Sequence, residues 1–299
     1  MRRRWVTFGT CLFLIVAACE RIHMSRSPET HDLAVASRQS GFDGECETPD
    51  PPDREIAPLE AQVSRIMPLA IAEIQIPTYV WVITSGSTGN VSDTSVNTQI
   101  LFFNQAMMGL PASANTTPMP FRLVLQRVTR VNNSSWYRMV FGSAAEAAMK
   151  RAHRVSGKNI LNIYVVGRPQ GNLTSGWSTF PWSYASNPNL DGVVLRNDTL
   201  PRDTADTLKG DTGIHEVGHW IGLFHTFRNF CNRVNDLVDD TPAEAHKHFD
   251  CPAGHDSCSL PGLDPLFNFM CYSKNSCRRQ FTPGQAARMR QKWAAYRAP

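Results

Sequence analysis

His215-Glu216-Val217-Gly218-His219-Trp220-Ile221-Gly222-Leu223-Phe224-His225 is the stretch on which the reading of this chain turns. Residues four apart on a helix lie within about 40° of one face, at ~100° per residue, so His215 and His219 can aim at one point. Neutral imidazoles suit Zn²⁺, and a hydrolytic zinc site takes three protein ligands and keeps one position open. Gly222 has the freedom to leave helical geometry, so the chain can turn there and bring in His225 as a third ligand. Glu216 follows the first histidine, where its carboxylate can sit beside a metal-bound water and accept its proton. Val217, Trp220, Ile221 and Leu223 are placed to bury the far side of the helix against a core. The rival reading, a helix of hydrogen-bonded core histidines, needs neither the glycine nor the third histidine.

Downstream, Asn268-Phe269-Met270-Cys271-Tyr272-Ser273 can form a tight turn that sets Met270 as an apolar floor beneath the imidazoles. A soft thioether fills such a gap without competing for zinc. The extended histidine motif is the mark of metzincin peptidases. With both motifs in view the chain resembles the pappalysin metzincins, specifically their smaller secreted members. The resemblance also runs through Asn133-Ser134-Ser135-Trp136, Gly142-Ser143-Ala144-Ala145-Glu146 and Asn159-Ile160-Leu161-Asn162-Ile163-Tyr164. It continues through Gly176-Trp177-Ser178-Thr179-Phe180-Pro181, Asp191-Gly192-Val193-Val194 and Phe281-Thr282-Pro283-Gly284-Gln285, covering about residues 76–296.

That resemblance implies an α+β, metzincin-like catalytic domain. A twisted mixed sheet with backing and active-site helices lies over an irregular, disulfide-rich C-terminal subdomain. It implies a zinc-dependent, calcium-binding endopeptidase acting on protein or peptide substrates. His215, His219 and His225 would bind zinc, with Glu216 as general base and Met270 in the Met-turn. Tyr272, two residues on, matches a family tyrosine that reaches toward the metal. The strand around residues 177–180 would be the edge that pairs with an extended substrate. Some relatives favour arginine after the scissile bond, using acidic residues near the late cysteine. Here Ser276, Arg278 and Arg279 flank Cys277, so that preference is not expected.

Residues 2–4 are all arginine and residues 5–17 are apolar, the pattern of a secretory signal too short for a membrane span. The run ends in Val16-Ala17-Ala18-Cys19, which resembles a bacterial lipobox. Cys19 is therefore the expected lipidation site. The expected location is the outside of a bacterial outer membrane, reached by a lipid anchor, with secretion as the alternative. Glu20 does not favour inner-membrane retention. Sequons such as Asn133-Ser134-Ser135 arise readily by chance. A net charge of +4 is too small to argue for nucleic acid, and the arginines of the last helix read as a solvated face. Oligomeric state has no signature.

The expected divisions are a signal peptide at 1–18, a tether and pro-segment at 19–75, an upper catalytic subdomain at 76–225 and a lower one at 226–299. Helices are expected near 56–65, 96–108 and 143–155. Strands are expected near 79–83, 121–128, 136–140, 160–166, 176–180 and 192–195.

Apart from Cys11 and Cys19, six cysteines remain, and six permit fifteen pairings. The resemblance implies Cys231–Cys258 and Cys251–Cys277, leaving Cys46 and Cys271. Cys46-Glu47-Thr48 is similar to the family's pro-segment Cys-Gly-Thr, with Glu47 in place of the glycine. Two readings stand open: Cys46 as a cysteine switch on the zinc, or a Cys46–Cys271 disulfide. The oxygen-rich run 235–242 suits Ca²⁺, and resemblance points to Asp236, Asp240 and Thr241. His246, His248 and His255 have a spacing that fits no compact site and read as surface residues. The rivals to an endopeptidase are a non-catalytic metal-binding surface lipoprotein and a hydrolase of small amides.

Overall fold

β-branched and aromatic side chains concentrate in the segments that pair. Strands β1 (Glu45–Cys46), β2 (Ile74–Thr84), β3 (Phe121–Asn132), β4 (Leu161–Val166), β5 (Thr174–Ser178) and β6 (Val193–Arg196) form one sheet, ordered β1-β5-β6-β4-β2-β3. The structure is a computed structural model that describes residues 45–63, 73–110, 117–167, 173–233 and 235–299. β2 runs parallel to β3 and β4, and β4 parallel to β6. β5 is antiparallel to β6, and β1 lies parallel to β5 along its outer edge. Every residue of β4 is buried, as its unbroken apolar run predicts for a central strand. Pro77 interrupts β2 just before Thr78, where pairing with β4 begins, so its missing N–H costs no bond on that side.

The helices are α1 (Asp53–Val63), α2 (Asp93–Met107), α3 (Ser134–Tyr137), α4 (Ala144–His153), α5 (Asp211–Ile221) and α6 (Pro283–Lys292). On one face of the sheet, Val96, Ile100 and Phe103 of α2 and Val217 and Trp220 of α5 share a core with Val80, Val82 and Ile163. On the other, Met149 of α4 packs with Trp81, Tyr164 and Trp177. This is the expected α+β arrangement: a mixed sheet with a backing helix and the histidine-bearing helix. Between α5 and α6 the described residues hold no helix and only an isolated bridge, Asn268 to Gln280. That irregular segment is stapled by Cys231–Cys258 and Cys251–Cys277, the two pairings that the resemblance implies. Each cross-link of that span contributes ~3 kcal/mol by restricting the unfolded chain. Among the described residues no helix is long and apolar enough to cross a membrane.

Two expectations are corrected. Residues 134–137 form a helical turn, not the start of a strand. The Asn133 side chain accepts the N–H groups of Ser135 and Trp136, and that cap outweighs the strand preference of the aromatic pair. Nor are the arginines of the last helix a solvated face: Arg288 and Arg297 are buried. Arg297 donates to both Asp191 oxygens at 2.9 Å, and Trp220 donates to the same carboxylate at 3.2 Å. The guanidinium also lies 3.8 Å from the Trp220 ring. The chain's last turn thereby anchors the helix that carries the histidine motif.

Breaking a buried pair by removing one member costs more than the pair is worth, because the other charge stays behind. Arg297→Ala is expected to destabilise the fold by about 3–5 kcal/mol in urea unfolding. A loss under about 1 kcal/mol would show that the pair is not a structural anchor.

Candidate active site

Helix α5 stops at Ile221 because Gly222 adopts φ +120°, a conformation that strains any residue with a Cβ. The turn that follows delivers His225 to the other two histidines. His219 Nε2 lies 3.1 Å from Nε2 of both His215 and His225. The opposite ring nitrogens are anchored outward: His215 Nδ1 on Phe269 O at 2.7 Å and His219 Nδ1 on Leu223 O at 2.8 Å. His225 Nδ1 meets Asp50 Oδ2 at 2.9 Å. Carbonyl oxygens only accept, so His215 and His219 carry their protons on Nδ1 and turn bare Nε2 lone pairs inward.

Inward-facing lone pairs at that separation repel unless a cation shares them. Protonation does not relieve them. Burial and the His225 imidazole push His219 down to about 3, and burial with both neighbours holds His215 well below its usual range. Ligands about 2.0–2.1 Å from a tetrahedral zinc stand ~3.3 Å apart, close to the spacing here. The donor set therefore fits Zn²⁺. Cys46 Sγ joins it, with all four potential ligand atoms within 4.8 Å of one another.

The floor is built by the downstream turn. Phe269 supplies the carbonyl that orients His215, and Met270 is fully buried against the helix backbone at Gly218. A Cβ at Gly218 would stand 2.6 Å from Met270 Sδ. Tyr272 lies beside the cluster, its ring centre 5.1 Å from that of His225, and its hydroxyl donates to Cys46 O at 2.8 Å. Asn268 and Gln285 exchange side-chain hydrogen bonds at 2.8 and 3.1 Å, tying the turn to α6.

Glu216 is fully buried, and burial pushes its carboxyl up to about 8 against hydrogen bonds from Cys46 and Thr48. Its Oε2 receives Thr48 Oγ1 at 3.0 Å and Cys46 Sγ at 3.4 Å, while Oε1 has no hydrogen-bond partner among the described residues. Gly176 on β5 makes room for it: a Cβ there would fall 3.0 Å from Glu216 Cγ and 2.9 Å from Val194 O. Gly176, Thr48 and Asp50 are site residues that the sequence reading missed. Thr48 had a signal, because it adjoins Cys46, whereas nothing local marks Asp50 as a partner of His225.

Residues 45–63 fill the groove. Cys46 pairs with Gly176 across β1 and β5, Glu47 N donates to Gly176 O at 3.0 Å, and Ser178 N donates to Thr48 Oγ1 at 2.8 Å. Helix α1 then lies on the surface through ion pairs. Asp53 meets Arg228 at 2.5 Å, and Glu60 meets Arg288 at 2.8 Å and Lys292 at 2.5 Å. Ile56 packs against Phe180 and Phe224. Of the two open readings for Cys46, the disulfide is the one not formed. Both cysteines are free thiols, and Cys271 Sγ instead donates to Glu244 Oε1 at 3.4 Å.

The acidic run divides. Asp236 and Thr241 adjoin, yet among the described residues Asp236 Oδ2 and Thr241 Oγ1 are buried without a well-aligned hydrogen bond, and burial raises Asp236 to about 8 against a weak contact from Thr241. Such orphaned oxygens fit Ca²⁺. Asp240 is exposed and turns elsewhere, accepting Gly284 N at 2.8 Å at the start of α6. Among the later histidines, the reading as surface residues is corrected for His248, which is buried against Asp264. The disulfide-bounded loop folds residues of distant numbering together, which spacing could not show. Cys19 lies outside the described residues.

Residues 149–294 match the family model Peptidase_M43, described as pregnancy-associated plasma protein-A. The chain is 37% identical over 267 residues to an extracellular metalloprotease of Pyricularia oryzae, covering 85% of this chain and 89% of that one. It is 36% identical over 304 residues to an extracellular metalloprotease of Verticillium alfalfae, covering 95% and 98%. Among solved structures it is similar to a Tannerella forsythia promirolysin mutant, with TM-score 0.68, 24% identity and coverage of 81% and 88%. Mature mirolysin of the same organism, in complex with a cleaved peptide, gives TM-score 0.61 at 26% identity, covering 74% and 91%.

Proposed function

The chain belongs to the pregnancy-associated plasma protein-A family of metallopeptidases, and on that premise we propose that it is an exported zinc endopeptidase held latent by residues 45–63. The convergence of three Nε2 atoms beside the buried Glu216 carries this reading. His215, His219 and His225 would hold zinc. A bound zinc supplies Lewis acidity that activates water and polarises the scissile carbonyl.

The chain's own groups do the rest. Once residues 45–48 leave the groove, Glu216 Oε2 loses Thr48 and Cys46 and is placed to accept a proton from the attacking water. It then returns that proton to the leaving amine. Tyr272 loses its Cys46 acceptor and can donate to the developing oxyanion. The edge of β5 loses β1 and can hydrogen-bond an extended peptide, which favours protein or peptide substrates over small amides. An intact, buried Glu216 is superfluous in a purely metal-binding protein. Glu216→Gln is expected to keep fold and zinc content but lower kcat by orders of magnitude on casein. Turnover near the parent's would remove Glu216 from the role.

Latency, on this reading, has two parts. Cys46, whose Sγ lies within 4.8 Å of the three histidine nitrogens, would hold the zinc as a fourth ligand while Thr48 occupies the base, and ion pairs of α1 hold both in place. Burial raises Glu60, but Arg288 and Lys292 outweigh it and leave the carboxyl below its ordinary 4.5. A group with a depressed pKa contributes fully above its ordinary value and loses that contribution as pH falls through the bound value. Acidification should therefore loosen α1, and Glu60→Gln should be loosened already at neutral pH. Cys46→Ala should raise the uncleaved precursor's activity at least about tenfold, equivalent to ~1.4 kcal/mol. A precursor variant as inactive as its parent would exclude the switch.

Calcium at Asp236 and Thr241, with backbone carbonyls, is proposed as a staple of the irregular segment. A chelator selective for calcium over zinc should lower the melting temperature, and an unchanged value would exclude the site. Export agrees with relatives named as extracellular. Lipidation at Cys19 is carried by the sequence 16–19 alone, and the fungal relatives lend it nothing. Mass spectrometry of the exported N-terminus would show either an acylated Cys19 or a free cleavage end.

A further inference from the structure

The irregular segment brings together His248, His255 and Asp264, which are 7 to 16 residues apart in sequence and lie downstream of the catalytic motif. His248 Nε2 lies 3.0 Å and His255 Nδ1 2.9 Å from the same oxygen, Asp264 Oδ2. The three donor atoms fall within 4.8 Å of one another, and the two imidazole ring centres are 4.3 Å apart. The two distances to Asp264 Oδ2 are close to the 3.1 Å at which His219 Nε2 stands from His215 and His225.

From this geometry we propose that His248, His255 and Asp264 form a second site for a divalent transition metal, zinc foremost. Two imidazoles and one carboxylate are a ligand set for that class of ion. His248 is 8% exposed, and its Nε2 faces Asp264 Oδ2 at 3.0 Å without a well-aligned hydrogen bond among the described residues. His255 Nδ1 hydrogen-bonds Asp264 Oδ2 at 2.9 Å, a contact that a shared cation would replace.

The carboxylate is also held as a ligand should be. Its other oxygen, Oδ1, receives Ser257 N at 3.0 Å and Ser257 Oγ at 2.9 Å, leaving Oδ2 to the two imidazoles. Asp264 N donates to His255 O at 3.0 Å, closing the loop that carries two of the ligands. His255 and Asp264 line a cavity of about 540 Å³, which offers a path for the ion. The remaining positions fall to water or to the exposed His246, whose ring centre is 4.5 Å from that of His248.

The role is structural. In sequence its residues alternate with Cys251 and Cys258, one end of each disulfide, and the site ties residues 248–264 where no helix or strand does among the described residues. It stands independently of the peptidase reading.

The test uses the full chain carrying Glu216→Ala, dialysed against micromolar zinc and assayed by elemental mass spectrometry. Adding His255→Ala should remove about one zinc equivalent per chain and abolish one step of the zinc-dependent rise in melting temperature. His255→Gln and Asp264→Asn guard against misfolding and should lose the same equivalent, with far-ultraviolet circular dichroism unchanged. A His215→Ala/His219→Ala chain should still retain about one equivalent, whether or not the protein is a peptidase. Zinc content unaffected by all three changes at His255 and Asp264, or no zinc retained by the His215→Ala/His219→Ala chain, would overturn the site.

Discussion

Three converging imidazole nitrogens, with that of His219 at 3.1 Å from each of the other two, are the constraint around which this molecule is arranged. Left alone they repel, so each ring must be held by its far side. Phe269 O, Leu223 O and the Asp50 carboxylate do this, and they come from the downstream turn, the end of the histidine helix and the N-terminal segment. The outward bonds set the tautomers, and the tautomers make the inward face a ligand set. A cation between the rings would thus cross-link three distant parts of the chain. The burial that makes the unrelieved arrangement costly also keeps competing water away.

Helix α5 has to stay rigid against that strain, and its support is electrostatic as well as apolar. Arg297, from the final turn, grips Asp191 and covers Trp220, while Met270 lies against Gly218, which sits between the two helical ligands. Gly176 and Gly218 share a logic. Each is bare because a neighbouring group, Glu216 or Met270, occupies the space a side chain would need. The sheet edge, the base and the floor are therefore fitted closely enough that neither glycine leaves room for a Cβ.

The N-terminal segment uses the same groups that define the cleft. β1 takes the edge of β5 in parallel orientation, and Thr48 and Cys46 meet the carboxylate and the imidazoles. The segment holds on through Asp53 and Glu60 against Arg228, Arg288 and Lys292. Arg288 and Lys292 are nearly dry, so their pairing is less screened than that of exposed surface ions.

Much of the site was legible in residues 215–225, because a helix converts a spacing of four into a shared face and a glycine into a turn. The central strand at 161–166 was legible for a similar reason, since burial on both faces demands an unbroken apolar run. The turn at 134–137 was not, because one asparagine side chain redirected the backbone. The two disulfides followed from likeness to a family and not from spacing. Beyond that, local pattern had no hold on the chain. Asp50 reaches His225 across 175 residues, Arg297 reaches Asp191 across 106, and His248 finds Asp264 inside a loop without periodicity. Periodicity reports only neighbours along an element, so the sequence by itself determined which helix bears the histidines and which side is buried. Which carboxylates, carbonyls and thiols close around those rings was decided by tertiary packing, because hydrogen bonds and ion pairs act on distance in space and leave no repeat in the order of residues.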